Sequence, residues 1–453
     1  MTRPDPRPAP GSDAGPERPD DDATTEASAP EPPALPLLEA PAEGLPPLVE
    51  TTEALLEAAA RLAAGTGPVA VDAERASGYR YGQRAFLVQL RRAGSGTILV
   101  DPEAVGDLTP LGEALRGVEW ILHAATQDLP CLAEVGMRPD RLFDTELGAR
   151  LAGLPKVGLG AVVEELLGLR LAKEHSAVDW STRPLPESWL TYAALDVEVL
   201  IPLRDEVAAR LRAGGKLGWA EEEFAAIVAA PPPVPPAEPW RRTSGLHAVR
   251  SARQLAVVRE LWFARDAEAR RRDTSPGRLL PDSALVAAAR ATPRSAQALL
   301  STPGFTGRGA RSGLASWFAA LQRGVETPEA DLPVKTVRTD SPPPPRTWAA
   351  RDPLAAARLA AARELTQAVA EELSMPVENL LQPEALRRLA WNPPRPITPE
   401  SVAVTLAPRA RNWQLGLLSV ELAEVLVRAE TEAATGADTS GAGSEPGTVP
   451  AEG

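Results

Sequence analysis

Apolar residues in the first half of the chain follow two spacings, one typical of strands and one of helices. Residues 68–74 read Pro-Val-Ala-Val-Asp-Ala-Glu, and the β-branched Val69 and Val71 favour a β-strand. The next apolar runs predict two strands that join the first in antiparallel hairpins. These two strands are predicted at residues 85–90 and 97–100, and one further strand is predicted at residues 119–123. Helices are predicted at residues 51–64 and 108–115. This alternation indicates an α/β domain with a mixed sheet flanked by helices.

Helical spacing dominates the rest of the chain. It covers most of residues 138–211, including 157–167 and 187–212. A proline run at residues 231–236 predicts a semi-rigid spacer. Two compact all-α units are expected after it. The predicted segments are a disordered acidic, Pro-rich tail (1–47), the α/β domain (48–228), a linker (229–240), a helical domain (241–324), a second linker (325–348), a second helical domain (349–429) and a disordered tail (430–453).

The net charge of −13 is unevenly distributed. Residues 1–50 hold three arginines and eleven acids, and residues 430–453 hold five acids and no base. Between the tails the chain is near neutral, yet residues 240–311 hold fourteen arginines, no lysine and five acids. This local excess favours a nucleic-acid partner despite the acidic total. Within it, Arg270, Arg271 and Arg272 form the run that we expect to contact the nucleic acid; a solvated helical surface is the alternative.

Cysteine and histidine content restricts the possible chemistry. One cysteine excludes an intramolecular disulfide, and with only three dispersed histidines the usual zinc ligand sets are nearly excluded. Oxygen ligands remain, which would suit Mg²⁺ or Mn²⁺. No apolar run approaches the length of a membrane span, and the N-terminus does not have the pattern of a secretory signal. We therefore expect a cytoplasmic protein with no membrane association, and we predict no protein partner.

Four carboxylates and a tyrosine are the candidate catalytic residues. Asp72 and Glu74 share one face of the first strand, where unpaired charges would need cations opposite them. Asp128 follows the strand at residues 119–123, and Thr126 is expected to cap the helix that Asp128 begins. Tyr192 and Asp196 are four residues apart on one helix face. Each has an ordinary structural alternative: a solvated strand end, a helix-end carboxylate, or a tyrosine–carboxylate hydrogen bond.

Taken together, these residues resemble the DEDD exonucleases that have a tyrosine in the third motif. The segments Asp-Trp-Ser-Thr-Arg-Pro-Leu at 179–185 and Tyr-Ala-Ala-Leu-Asp-Val at 192–197 are similar to those of the ribonuclease D family, as are Val-Gln-Leu at 88–90 and Leu-His-Ala at 122–124. Residues 279–305 resemble the HRDC domain, and residues 350–430 resemble a diverged second copy. The resemblance implies a ribonuclease H-like exonuclease domain followed by two HRDC-like domains.

The family resemblance also implies roles for the candidate residues. Two divalent ions, Mg²⁺ or Mn²⁺, would bind the carboxylates: Asp72 would bridge them, Glu74 and Asp196 would complete one site, and Asp128 would bind the other. Tyr192 would orient the attacking water, since its ordinary pKa near 10 makes it a poor base. Three residues are expected near the substrate, each with a structural alternative: His123, Gln89 and Arg183.

The expected activity is metal-dependent 3′–5′ removal of nucleoside 5′-monophosphates from single-stranded RNA 3′ ends, with structured RNA or transfer RNA precursors as the family substrates. The preference for RNA over DNA rests on the resemblance alone, so a DNA 3′–5′ exonuclease is the first alternative. The second is an inert nucleic-acid-binding adaptor, which the presence of all four carboxylates and the tyrosine disfavours.

Overall fold

A mixed α/β domain begins the described part of the chain, which in this computed structural model comprises residues 35–172, 177–232, 234–335 and 340–441. Its strands are β1 (Leu37–Leu38), β2 (Leu48–Val49), β3 (Thr66–Arg75), β4 (Ala85–Ala93), β5 (Gly96–Val100), β6 (Glu119–Leu122), β7 (Arg141–Asp144) and β8 (Arg170–Leu171). Its helices are α1 (Thr52–Ala64), α2 (Pro102–Val105), α3 (Thr109–Ala114), α4 (Leu129–Glu134), α5 (Thr145–Leu151), α6 (Leu159–Leu167), α7 (Glu187–Glu198), α8 (Leu200–Ala213) and α9 (Leu217–Ala229).

Six strands form the central sheet in the order β2-β5-β4-β3-β6-β7. Strands β3, β4 and β5 are successive antiparallel neighbours, as the short connections between them predict. Strands β6 and β7 continue the sheet in parallel with β3, and β2 pairs in parallel with β5. The mixed sheet with flanking helices confirms the predicted fold class of this domain.

Helices cover both faces of the sheet, so the middle of β3 is buried. Val69 and Val71 belong to the main apolar core on one face. On the other face, Leu87 and Leu99 pack against Ala193 and Ala194 of α7. Asp72 and Glu74 lie on this second face, because Glu74 is directly opposite Leu87 across the β3–β4 pair. The sheet therefore presents its carboxylates to α7.

The first helical unit has an apolar core of its own. Trp240 and Trp317 are fully buried in it. Ser251 begins the long helix of the unit with a capping box to Gln254. The helices are α10 (Ala252–Arg271), α11 (Pro276–Leu279), α12 (Asp282–Ala291), α13 (Ala296–Leu300), α14 (Arg308–Ser312) and α15 (Leu314–Glu326).

The second helical unit shares the apolar core of the α/β domain. Trp413 of this unit stacks on Trp219 of α9 at 4.9 Å between ring centres. In both helical units, a 20-residue helix is followed by a one-turn helix and then by a helix of nine or ten residues. The helices are α16 (Trp348–Arg351), α17 (Pro353–Glu372), α18 (Val377–Leu380), α19 (Pro383–Trp391), α20 (Pro399–Leu406) and α21 (Asn412–Gly441).

The structure differs from the predicted segment boundaries at both ends. Leu37–Leu38 pairs in parallel with Arg170–Leu171, and the amide of Ala42 donates to the Glu198 carboxylate. The predicted tail 1–47 therefore ends earlier, since part of it packs on the α/β domain. At the other end, α21 continues to Gly441, past the predicted boundary at residue 429. Residues 1–34 and 442–453 of the two predicted tails lie outside the described residues.

Two internal predictions also need correction. The region expected to be mainly helical from residue 138 contains strand β7, which forms the edge of the sheet beside β6. The helix predicted at 187–212 is two helices, because α7 ends at Glu198 and α8 begins at Leu200. None of the described helices combines the length and the apolar character needed to cross a membrane.

Candidate active site

Three of the predicted carboxylates meet between β3 and α7. Asp72 and Glu74 are two residues apart on β3, so both side chains leave the same face of the sheet. Asp196 reaches that face from α7. One carboxylate oxygen from each of these three residues lies within 4.8 Å of the others. Residues far apart in the sequence therefore form one compact acidic group.

Small residues allow α7 to approach the sheet closely. Ala193 and Ala194 are fully buried against β4 and β5. On the same helix, the hydroxyl of Tyr192 is hydrogen-bonded to the carboxylate of Asp196, as their spacing of four residues allows. The helix thus positions both a carboxylate and a phenol beside β3.

The fourth carboxylate, Asp128, is engaged by an arginine that directly follows Glu74 on β3. Nη2 of Arg75 lies 3.2 Å from Oδ1 of Asp128, and Nη1 donates to the backbone carbonyl of Gln127 at 2.7 Å. Only 7% of the Asp128 side chain is exposed. Sequence reasoning missed Arg75, although its place beside the Asp-x-Glu motif was a signal that could have been used.

The turn that carries Asp128 is stabilised by a second residue that was missed, Asp144. Its carboxylate accepts hydrogen bonds from the amides of Ala124 and Ala125 at 3.0 and 2.8 Å, and it also caps helix α5. Thr126 does not cap a helix: it lies within a short 3-10 turn, and Asp128 itself is the N-cap residue of α4, without a side-chain capping bond. Asp144 precedes Thr-Glu at a strand end, which is a recognisable N-cap signal.

Burial and mutual repulsion make this group of carboxylates hard to ionise. Burial raises the pKa of Asp72, and it raises that of Glu74 further together with the charges of Asp72, Asp196 and Asp128. The pKa values of Asp128 and Asp196 are raised by burial and by the charge of Asp72. The Arg75 guanidinium opposes the shift at Asp72, Glu74 and Asp128. The site would therefore be stabilised by additional positive charge.

The donor atoms suit a hard divalent cation. All of the clustered ligand groups are carboxylates, which favour Mg²⁺ or Mn²⁺ over softer transition metals. The carboxylates lie close together and have raised pKa values, so a bound cation would stabilise their ionised forms. Asp72, Glu74 and Asp196 fit such an ion as a group. Asp128 would take part once its carboxylate is released from Arg75.

His123 directly follows β6, and its side chain is largely enclosed. Its Nδ1 is 2.9 Å from the hydroxyl of Thr145, and burial lowers its pKa to about 4. The imidazole is therefore neutral at pH 7, and it does not add to the positive charge of the site. Its contact with substrate stays a prediction.

Gln89 lies directly opposite Asp72 in the β3–β4 pair, which places both side chains on the same face. It is fully buried, and neither amide atom has a hydrogen-bond partner among the described residues. A contact with substrate stays a prediction, and it would require the side chain to become accessible.

Arg183 has a structural role that differs from the predicted substrate contact. Its guanidinium forms a bidentate ion pair with Asp101, with N–O distances of 2.6 and 2.7 Å. It also donates to the backbone carbonyls of Phe86, Trp180 and Thr182. These five hydrogen bonds match the five N–H groups of a guanidinium. No donor is left for a phosphate.

The arginine run at residues 270–272 makes contacts within the protein, and its contact with RNA stays a prediction. Arg271 and Arg272 both pair with Glu268. Arg270 pairs with Asp266, and its guanidinium lies 5.4 Å from the ring centre of Tyr81. The run therefore pairs with acids of its own helix and contacts the α/β domain, which reduces the charge that it can offer to phosphate.

Comparison with protein families matches all three domains. Residues 48–212 match the family described as 3′-5′ exonuclease, and residues 254–321 match the HRDC domain. Residues 341–426 match a family described as the 3′ to 5′ exonuclease C-terminal domain, where the sequence analysis predicted a diverged HRDC-like copy. The fold and its acidic site thus define a 3′–5′ exonuclease.

Known relatives identify the family more closely. The chain is 36% identical to ribonuclease D of Acidiphilium cryptum over 309 residues, which is 66% of this chain and 77% of that protein. It is 32% identical to Escherichia coli ribonuclease D over 270 residues, which is 58% of this chain and 71% of that protein. The chain belongs to the ribonuclease D family.

Solved structures agree over most of the chain. A protein from Bifidobacterium adolescentis superposes with a TM-score of 0.78 at 37% identity, covering 88% of this chain and 100% of the other. Escherichia coli RNase D, described as an exoribonuclease involved in structured RNA processing, superposes with a TM-score of 0.62 at 27% identity. That match covers 85% of this chain and 98% of the E. coli chain.

Proposed function

We propose that this exonuclease removes nucleoside 5′-monophosphates from RNA 3′ ends by two-metal-ion hydrolysis. The observation that carries the proposal is the convergence of Asp72, Glu74 and Asp196 within 4.8 Å, with Asp128 close enough for the charge of Asp72 to affect its pKa. Divalent ions at these carboxylates would polarise the scissile phosphate and lower the pKa of the attacking water. We propose Mg²⁺ or Mn²⁺ because the ligand atoms are all oxygens.

The protein residues have separable tasks in this proposal. Asp72, Glu74, Asp128 and Asp196 supply the negative charge that retains the cations. Tyr192, fixed by its hydrogen bond to Asp196, places its hydroxyl beside the acidic group and can orient a water there. Its pKa is raised, by burial first and then by the charges of Asp196 and Glu74, so the phenol stays protonated. It therefore acts as a positioning group without removing the proton of the water.

RNA as the substrate is supported by the family and by its solved members. The E. coli relative is described as an exoribonuclease involved in structured RNA processing, and its similarity extends over 85% of this chain. We propose that this protein also acts on structured RNA, with transfer RNA precursors as the first class to test. A cytoplasmic location follows from such substrates and belongs to the same proposal.

The first experiment is digestion of a 5′-labelled single-stranded RNA with a 3′ hydroxyl, in Mg²⁺, in Mn²⁺ and in EDTA. Because Asp196 contributes to the acidic group, Asp196→Asn should slow shortening about 100-fold or more, which corresponds to losing several kcal/mol of transition-state stabilisation. Asp205→Asn changes an exposed carboxylate of the next helix, and it should retain wild-type activity. Persistent shortening in EDTA, or full activity of Asp196→Asn, would contradict the proposal.

A matched DNA oligonucleotide decides between RNA and DNA. Faster shortening of RNA supports the proposal, while equal or faster shortening of DNA would assign the protein as a DNA exonuclease. Stoichiometric RNA binding with no metal-dependent turnover would instead support the inert adaptor. Transfer RNA precursors with trailing 3′ nucleotides form the third substrate arm, and failure to trim them would reject that substrate class alone.

A further inference from the structure

Arg75 places a permanent positive charge inside the acidic site. It is the last residue of β3, and the register between β3 and β4 shifts between Glu74 and Arg75. In a regular strand, the side chains of residues 74 and 75 would point to opposite faces of the sheet. The register shift interrupts this alternation at Arg75. From there the side chain reaches the turn that follows β6. It makes two contacts in that turn, one with the carboxylate of Asp128 and one with the carbonyl of Gln127.

The two contacts tie the arginine specifically to one of the four carboxylates. Asp72, Glu74 and Asp196 form a group that could bind an ion together, whereas the Asp128 carboxylate has Arg75 as its partner. Asp128 is almost completely buried, and the Arg75 side chain is 26% exposed. An ion pair this shielded from solvent is weakened little by salt, so another cation must compete with it directly.

We propose that Arg75 is an internal competing cation that sets the order in which divalent ions bind. The three-carboxylate group of Asp72, Glu74 and Asp196 binds an ion without displacing an arginine, since the hydrogen-bond partner of Asp196 is the uncharged Tyr192. An ion at Asp128 binds only when the carboxylate turns away from the guanidinium, and it therefore binds second and more weakly. This inference rests on the proposed two-metal function and adds to it a residue that controls occupancy of the second position.

The test measures metal binding without any substrate. Mn²⁺ is titrated into the full-length protein, and free Mn²⁺ is followed by electron paramagnetic resonance. The wild-type protein should show one tighter and one weaker site. In Arg75→Gln, the weaker site should tighten about tenfold because Asp128 has lost its competing partner, while the tighter site should tighten less, because its carboxylates are near the Arg75 charge but are not paired with it. In Asp128→Asn, the weaker site should disappear, with or without Arg75.

Two further variants separate competition from general effects. Arg116→Gln removes one exposed positive charge of the same domain, and it should leave both constants unchanged. Arg75→Lys keeps the charge, and it should stay within about threefold of wild type. The inference is overturned if Arg75→Gln leaves the weaker site unchanged or weakens it, or if Arg75→Lys tightens that site as much as Arg75→Gln does. If the wild-type protein binds no Mn²⁺ and Asp196→Asn shortens RNA as fast as the wild type, the proposed function fails instead.

Discussion

At the scale of single residues, the surroundings of Tyr192 determine which role its hydroxyl can have in catalysis. A phenol could in principle act as a base, but burial and three neighbouring carboxylates raise the pKa of Tyr192 above its ordinary value of 10. The hydroxyl is hydrogen-bonded to Asp196, so its position is fixed relative to a candidate metal ligand. Both facts favour orientation of the attacking water over removal of its proton.

Replacing Tyr192 by phenylalanine should therefore lower kcat by about 10- to 100-fold, the range expected when a reacting group is mispositioned. The KM for RNA should change little. Because a raised pKa keeps the phenol protonated from pH 6 to 9, the pH–rate profiles of wild type and variant should be parallel. Single-turnover digestion across this range is the measurement. A limb in the wild-type profile that the variant lacks would show that the phenol titrates during catalysis.

The residues that sequence reasoning found and missed differ in what determines their position. Asp72 and Glu74, like Tyr192 and Asp196, are positioned by local spacing within one strand or one helix, which the sequence displays. The contact of Arg75 with Asp128 depends on an interrupted strand register and on a neighbouring strand. The turn at Asp128 depends on Asp144, sixteen residues later in the chain. The spacing of residues within one element does not reveal such tertiary contacts.

At the scale of elements, helix α10 shows that charge counting overlooks ion pairs within a helix. Glu268 precedes Arg271 and Arg272 by three and four residues, which is the spacing of ion pairs on a helix. That pairing was readable from the sequence. Four of the exposed arginines with no ion-pair partner among the described residues lie later in the same unit, from the end of α12 to α14: Arg290, Arg294, Arg308 and Arg311.

Neutralising these four later arginines to alanine should weaken binding of single-stranded RNA and flatten its salt dependence. Each lost phosphate contact lowers the slope of log K against log salt by about 0.7 for a single strand. Fluorescence anisotropy with labelled RNA in EDTA measures both effects without turnover. The matched control is Arg271→Ala with Arg272→Ala, whose partner is Glu268, and it should change affinity less. Equal losses in the two variants would argue that charge acts through the whole unit.

At the scale of the whole molecule, the two helical units join the α/β domain by different kinds of contact. The second unit shares the main apolar core, and Lys216 of the α/β domain donates to the carbonyl of Leu373. The first unit has a separate core and docks through polar groups on the loop at residues 76–84. Sequence patterns predicted both units as helical domains. The kind of interface was not predictable, since it depends on which faces meet.

The polar docking centres on one loop, which directly follows the catalytic strand β3. Both terminal nitrogens of Arg84 donate to the Asp273 carboxylate at 2.9 and 2.8 Å. Arg278 lies 4.1 Å from the ring centre of Tyr79 and donates to the carbonyl of Gly78. The hydroxyl of Tyr81 donates to Asp266. The first helical unit thus restrains the loop that connects β3 to β4.

Replacing Asp273 by alanine should loosen this loop without unfolding the domain that carries it. The Arg84–Asp273 pair is partly exposed, so its loss costs about 1 kcal/mol or less. Amide hydrogen exchange of residues 76–84 should therefore rise about two- to fivefold, since local opening becomes easier by that amount. Asp331→Ala, an exposed acid that follows α15, should leave exchange in the loop unchanged. Exchange in α21 should not change in either variant, because the second unit is attached through the apolar core. Unchanged exchange in the loop of Asp273→Ala would mean that the tyrosine and backbone contacts suffice to restrain it.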